Sequence, residues 1–376
     1  MSRKAALLTM FDVTNYGSVL QTFASQSVLN RLGYECEVIN YWFPNEWHFK
    51  MGYKRPKAYR LFISKALRFL GYKTYWSEFG KTIDRFKFGK LNLTPNRFET
   101  LEALESNDWK QYDTIVSGSD QVWNPRFMKG DKAFLLSFVP DDVRKISMSS
   151  SFACKTLDPA FRDSYKKYLS RLSAISVRDN NGVDILSSLG IDKPVEVMLD
   201  PTLLLSDEEW KKALNIGKST DSDYILVYIL NYAFNPAPYI YDAVKEMQKR
   251  TGKKVIFTGT VENKYLKGMT NYEIRNGRPV EEFVSMFANA AMVVTSSFHG
   301  TAFAVNFSRP LIAVTPSNGD DRQSSLLTNL GIPHCAVKCD NPLSQLNPYY
   351  DATAVRTALD SLREKNIAWL QNALKK

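Results

Sequence analysis

The chain has 376 residues, 44% of them apolar and 23% charged, with 18 Gly and 16 Pro in no repeating pattern. That excludes a disordered tail and a disulfide-dense secreted module, and fits two packed domains of ordinary size. The net charge of +10 is local, because residues 48–90 hold 12 basic and 2 acidic positions and the remainder sums to zero. A localised anionic partner fits such a patch better than a uniform coat of polyanion, and with no DNA- or RNA-binding motif beside it no nucleic acid is expected.

Cys36, Cys154, Cys335 and Cys339 are too few and too scattered for a disulfide framework, and His334 is the only metal-ligand companion near any of them. Buried thiols in a reducing compartment are expected, with no metal and no bound cofactor. The start MSRKAALLTMF carries too short an apolar run for a secretory h-region, and no later run reaches about 18 apolar residues. A cytoplasmic location follows as an expectation.

In chain order, residues 5–9 read as a buried strand, 11–17 as a polar loop, 18–32 as a helix with Ser18 as N-cap and Gly33 beyond its end, and 35–41 as a second strand. Strands are predicted at 112–117, 145–150, 174–177 and 195–199, with a helix over 159–172. A polar junction spans 201–222, opened by Ser206, Asp207, Glu208 and Glu209. Alternation then restarts, with strands at 224–230, 254–258, 291–295 and 311–315 and helices at 238–250, 279–288, 300–307 and 323–330. A last helix is predicted from 352 to about 374. The expected organisation is an N-terminal domain over 1–200 with a basic aromatic insertion at 43–108, a C-terminal domain over 223–350, and a terminal helix over 351–376 that braces the first domain.

Parallel-sheet domains bind ligands at the carboxyl ends of their strands, which selects five loops. The first, VVTSSFHGTAFAV, brings Ser297, His299, Gly300 and Thr301 to a helix amino terminus, where hydroxyls and backbone N–H groups suit an anion and a histidine can transfer a proton near neutral pH. The second offers Asn15, Gly17 and Ser18 to an anion or to sugar hydroxyls and is no dinucleotide loop. The third, SGSDQVWNP, presents Asp120, Gln121, Trp123 and Asn124, the carboxylate, amides and flat ring that a sugar site uses, although a core tryptophan is the alternative. The fourth is Arg178, placed to fork onto a carboxylate or phosphate, or else to pair with Asp179. The fifth is Arg322 at a helix start, where a cation is electrostatically out of place unless an anion sits nearby, either a ligand or Asp320 and Asp321.

Taken together, NYGSVLQTFASQSVLNRLGYECEVINY, VSGSDQVWNP, SMSSSFA, ISVRDNNGVDIL, VMLDPTLLLSDEEW and SFHGTAFAVNFSRPLIAV resemble the bacterial polysaccharide pyruvyl transferase family, in the same order from about residue 5 to about residue 335. The resemblance implies two Rossmann-like domains facing a cleft, similar to GT-B glycosyltransferases, with the C-terminal helix crossing back. It also implies transfer of a pyruvyl group from phosphoenolpyruvate, as co-substrate, onto two hydroxyls of a sugar, giving a cyclic ketal and phosphate. On that resemblance Arg178, His299 and Arg322 serve the donor, with Ser297, Gly300 and Thr301 of the strand-to-helix loop expected beside them. Asn15, Gly17, Ser18, Asp120, Gln121, Trp123 and Asn124 serve the acceptor, with His299 and Asp120 as proton-transfer residues.

The expected acceptor is a sugar carried on polyprenyl diphosphate, with a galactose 4,6-ketal as first choice. Within the insertion, Tyr59, Phe62, Ile63, Ala66, Leu67 and Leu70 fall on one helical face and Lys57, Arg60, Ser64 and Arg68 on the other. Such a helix can attach peripherally to the anionic inner face of a membrane, or simply pack its apolar side on the first domain. The alternatives from other classes are a GT-B nucleotide-sugar glycosyltransferase and a non-catalytic glycan-binding protein.

Overall fold

A computed structural model describes residues 3–42, 75–128, 130–317 and 322–375. The amphipathic helix expected at 57–70 lies outside the described residues, as do Asp320 and Asp321. The chain divides into two compact units, residues 1–204 with 365–376, and residues 205–364.

The first unit opens with β1 (Arg3–Leu8), α1 (Tyr16–Arg31) and β2 (Tyr34–Tyr41), followed by α2 (Tyr75–Lys90), β3 (Leu93–Phe98) and α3 (Leu101–Glu105). It continues with β4 (Thr114–Ser117), α4 (Pro125–Met128), β5 (Arg144–Ser147), α5 (Arg162–Leu169), β6 (Ile175–Val177), α6 (Asn180–Ser188), β7 (Val195–Val197) and α7 (Pro201–Leu204). The sheet order is β3-β2-β1-β4-β5, all parallel, with Leu7 opposite both Val38 and Val116. Ala5, Ala6, Leu7 and Leu8 are all fully buried, as a central strand covered on both faces demands. β6 and β7 pair separately and join the main sheet through isolated bridges, Ile146 to Ala174 and Ser150 to Val177. Serine hydroxyls stitch that seam, since Ser176 N–H donates to Ser147 Oγ at 2.8 Å and Ser147 Oγ–H to the Ser176 carbonyl at 2.9 Å.

In place of the expected Ser18 cap, Asn15 caps α1, its side chain accepting from Ser18 N at 3.2 Å. That leaves the Ser18 hydroxyl for another partner. β3 falls inside the region expected to be an insertion. Its sequence LTPNRF holds a proline and polar residues, which an edge strand tolerates because one of its sides needs no ladder bonds.

The second unit begins with α8 (Asp207–Ala213), closed at its start by a capping box between Ser206 and Glu209. β8 (Tyr224–Ile229), α9 (Tyr239–Thr251), β9 (Lys254–Gly259), β10 (Tyr272–Ile274), α10 (Val280–Asn289), β11 (Met292–Thr295), α11 (Phe298–Asn306), β12 (Leu311–Thr315), α12 (Arg322–Asn329) and β13 (Ala336–Lys338) follow. The sheet is again parallel, in the order β10-β9-β8-β11-β12-β13. Both units therefore share one doubly wound, Rossmann-like order, with a switch point between β1 and β4 in the first and between β8 and β11 in the second. Ligands bind such sheets at those points, outside the strand ends.

α13 (Ala352–Ala373) contributes residues to both units. Its end is fastened within the first, where Asn366 Oδ1 accepts from Leu199 N at 2.9 Å, the Ala373 carbonyl from Arg144 Nε at 2.7 Å and the Leu374 carbonyl from Tyr34 Oη at 2.8 Å. Among the described residues no helix is long and apolar enough to cross a membrane.

Candidate active site

The switch point of the first unit gathers charge. Arg178 stands at the end of β6, its side chain 1% exposed, and donates from Nη1 to Asp200 Oδ2 at 2.8 Å. Its Nη2 lies 3.8 Å from Asp120 Oδ1, and Asp120 Oδ2 accepts from the Ser18 hydroxyl at 2.9 Å. Burial works against the Arg178 charge, but Asp200, Asp120 and Asp179 hold its pKa above the ordinary value. Asp179 is no direct partner of this arginine, contrary to one of the two readings of its position. Asp179 caps α6, accepting from Gly182 N at 3.2 Å and from Ser151 Oγ at 2.7 Å.

Asp120 sits at the end of β4 with φ +70°, and Ser149 and Ala153 after β5 have φ +56° and +47°. Non-glycine residues occupy this left-handed region at a cost, and such strain collects where side chains are aimed for function. Asp120 is fixed in that conformation by its carbonyl, which accepts from Ser151 N at 3.0 Å.

The other residues expected at the acceptor side divide. Gly17 and Ser18 are buried in the first turn of α1, beside the capping Asn15. Asn124 Nδ2 donates to Gln121 Oε1 at 2.8 Å, and Asn124 Oδ1 accepts from Arg126 N at 2.9 Å, so both amides serve the turn that starts α4. Trp123 corrects an expectation, because its ring is fully buried and belongs to the core rather than to a sugar platform. Its indole N–H reaches Ser117 Oγ and the Phe134 carbonyl, each at 3.2 Å, and its ring packs 5.2 Å from that of Phe152. At the nearby β1 to α1 loop, Asp12 pairs with the buried Lys87 of α2 at 3.2 Å. Burial pushes the Asp12 carboxyl above its ordinary value, and Lys87 opposes the shift.

The switch point of the second unit is built from hydroxyls and a helix start. Ser297 caps α11, accepting from Gly300 N at 3.3 Å. Ser296 Oγ accepts from Leu230 N at 3.0 Å and donates to the Leu230 carbonyl at 2.8 Å, which locks the β11 loop to the loop after β8. Gly300 is required by close approach, since a Cβ there would lie 2.3 Å from Thr295 Oγ1 and 3.1 Å from the Tyr228 ring. His299 is 7% exposed, its ring edge-on to Phe298 at 5.5 Å. The Arg322 guanidinium stands over the Phe298 ring, 5.6 Å from its centre. Gln323 Nε2 donates to Thr301 Oγ1 at 2.9 Å and ties α12 to α11. Ser297, His299, Gly300, Thr301 and Arg322 thus come together in one unit, whereas Arg178 belongs to the other.

Residues 15–318 match the family described as polysaccharide pyruvyl transferase. The chain belongs to that family. No curated protein matches it by sequence. By fold this family member is similar to the UDP-GlcNAc 2-epimerase of Methanocaldococcus jannaschii, with a TM-score of 0.52, 13% identity, and 96% of this chain and 92% of that one covered. It is similar also to S. aureus MnaA in complex with UDP, with a TM-score of 0.52, 11% identity and 97% of each chain covered. A putative UDP-N-acetylglucosamine 2-epimerase from Listeria monocytogenes has a TM-score of 0.50, 10% identity, and coverage of 98% and 89%. At these identities the likeness is one of fold alone, GT-B-like in having two Rossmann-like units.

Asp200 is the site residue that sequence reasoning missed. Its signal was the Asp-Pro pair in VMLDPTLLL, which reads as a strand end running into a junction. In the structure Asp200 accepts from Thr202 N at 3.0 Å, Thr202 Oγ1 at 2.7 Å, Ser119 Oγ at 3.2 Å and Arg178.

Proposed function

We propose that this family member transfers the pyruvyl group of phosphoenolpyruvate onto two hydroxyls of one sugar, in the making of a bacterial surface polysaccharide. The observation that carries the reading is the corner of His299, Arg322 and the start of α11 in the second unit, set in a chain whose family match spans residues 15–318. A helix start and a guanidinium suit a phosphate, and a histidine beside them can hand the departing phosphate a proton. In the first unit Asp120, 3.8 Å from the paired Arg178, is the carboxylate that would meet a sugar hydroxyl.

In the balanced reaction a proton adds to the methylene carbon, and one sugar hydroxyl bonds to C2 and gives up its proton. The C2–O bond to phosphate then breaks, and the second hydroxyl bonds to C2 as its proton leaves. One of the two hydroxyl protons is thereby accounted for in the new methyl group, the other in the released phosphate. A sugar on polyprenyl diphosphate is the proposed acceptor.

The test is incubation of the purified protein with phosphoenolpyruvate and a panel of galactosides, glucosides and N-acetylhexosaminides. Phosphate should be released only with a suitable acceptor, and the product should gain a carboxyethylidene mass. Absence of acceptor-dependent release together with transfer from a sugar nucleotide would replace this reading by glycosyl transfer. Absence of both, with glycan still bound, would replace it by a binding role.

A further inference from the structure

Lys87, near the end of α2, carries its charge inside the first unit. Its side chain is 4% exposed, and its Nζ lies 3.2 Å from Asp12 Oδ1 and 2.9 Å from Asp84 Oδ1. The two carboxylates differ in place. Asp84 is half exposed and one turn back on the same helix, whereas Asp12 is 13% exposed and belongs to the loop that joins β1 to α1. Rings close around the ammonium, with centres at 5.4 Å for Trp42, 5.6 Å for Phe88 and 5.9 Å for Phe11. Burial alone favours a neutral Asp12, and Lys87 is the foremost charge that opposes it. Arg97 acts in the same sense but is itself paired with Glu99 at 2.5 Å. α2 is seated on α1 by ring contacts, Tyr16 to Phe79 at 4.8 Å and Phe23 to Phe86 at 5.6 Å, so Lys87 reaches from a packed helix to the loop that feeds α1. From Asp12 the backbone runs to Asn15, whose N–H donates to the Val13 carbonyl at 2.8 Å and whose side chain caps α1, and then to Ser18, the hydroxyl donor to Asp120.

We propose that Lys87 is a positioning residue for the acceptor side: by pinning Asp12 it seats the loop of residues 11–17, and through that loop the Ser18 hydroxyl that holds Asp120. A carboxylate so far from water keeps its place only with a cation beside it, so loss of Lys87 lets the loop carry Asp12 outward. The rings around the ammonium add attraction and keep water from weakening the pair. That the loop serves a sugar rests on the pyruvyl-transfer reading. Its seating by Lys87 does not.

The experiment compares the full chain with Lys87→Met, Lys87→Arg, Asp12→Asn and the double variant of Lys87→Met with Asp12→Asn, first by amide hydrogen exchange. In Lys87→Met, exchange over residues 11–18 should quicken about tenfold while β4 and β5 keep their protection, which marks local opening rather than lost stability. Lys87→Arg keeps the cation and should restore part of that protection. The double variant should do no more than the worse single one, because both remove the same link. With phosphoenolpyruvate and a nitrophenyl galactoside, or the glycoside of the panel above that releases phosphate best, KM for the glycoside should rise about tenfold in Lys87→Met and KM for phosphoenolpyruvate stay within about twofold. A merely structural loss would lower kcat and leave both KM values in place. Unchanged exchange over residues 11–18, exchange that quickens equally across the first unit, additive effects in the double variant, or a glycoside KM that stays as it was overturns the proposal. Should Lys87→Met fail to fold, Asp12→Asn, which removes the same link and leaves Lys87 its Asp84 partner, takes its place with the same expectations. A chain whose loop opens on loss of Lys87 yet releases no phosphate with any acceptor fails the functional reading alone. One that transfers pyruvate with the loop and the glycoside KM unmoved fails this proposal alone.

Discussion

The two switch points use the same strand order for opposite electrostatic ends. In the first unit a buried arginine is matched by carboxylates, so the charge is balanced from within. In the second the elements are a helix start, a histidine and an arginine lying over Phe298. A helix start and a guanidinium suit an anion, the role proposed for the second. The buried pairs of the first tie its residues into the stability of the unit that holds them.

Substitutions can separate these two roles. The largest effect is expected for Arg178→Ala, which leaves Asp200 buried without its cation and should cost about 3–5 kcal/mol of unfolding free energy. Denaturant unfolding measures it, and a variant as stable as the wild type would break the comparison. His299→Ala should lower kcat about a hundredfold or more, in the range of a lost general acid, while disturbing unfolding less than Arg178→Ala does. Equal damage to stability would place His299 with the structural residues instead. Gly300→Ala should cost about 1–3 kcal/mol by overpacking, because the added Cβ meets Thr295. Its thermal midpoint should drop, and the drop should shrink when Thr295→Ala is combined with it. Smallest is Trp123→Phe, which loses one buried N–H donor, about 1 kcal/mol, and should leave KM for the sugar unchanged. A raised KM with unaltered stability would return Trp123 to the acceptor side.

Long, strongly patterned elements are readable in the sequence alone. The strand at β1, the SSFHG turn and the helices on either side of β11 combine apolar runs with capping residues, and their types stand as expected. β3, β10 and β13 escaped notice because edge strands need neither length nor continuous apolar runs, two of the three being three residues long. Ser18 looked like a cap by residue type, yet Asn15 lies one turn earlier and does that work, which frees Ser18 for Asp120. The partner of Arg178 could not be read from adjacency. α6 is short and holds a glycine, so its claim on Asp179 was invisible, and Asp200 arrives from 22 residues downstream. Trp123 shows the opposite failure, a residue type suited to sugars whose neighbours Ser117 and Phe152 place it inside. Pairings made across the sheet are a property of the folded topology, and only the local half of each was written in its own segment.

Residues 365–376, with Leu370 fully buried and Leu374 nearly so, complete the first unit and are made after the whole of the second. The second unit is contiguous and has all its residues as soon as position 364 has emerged. Completion of the two units therefore runs against the order in which they begin. The half begun first must wait, with the Tyr34 hydroxyl and the Arg144 guanidinium still lacking their carbonyl partners, until the half begun second has been made.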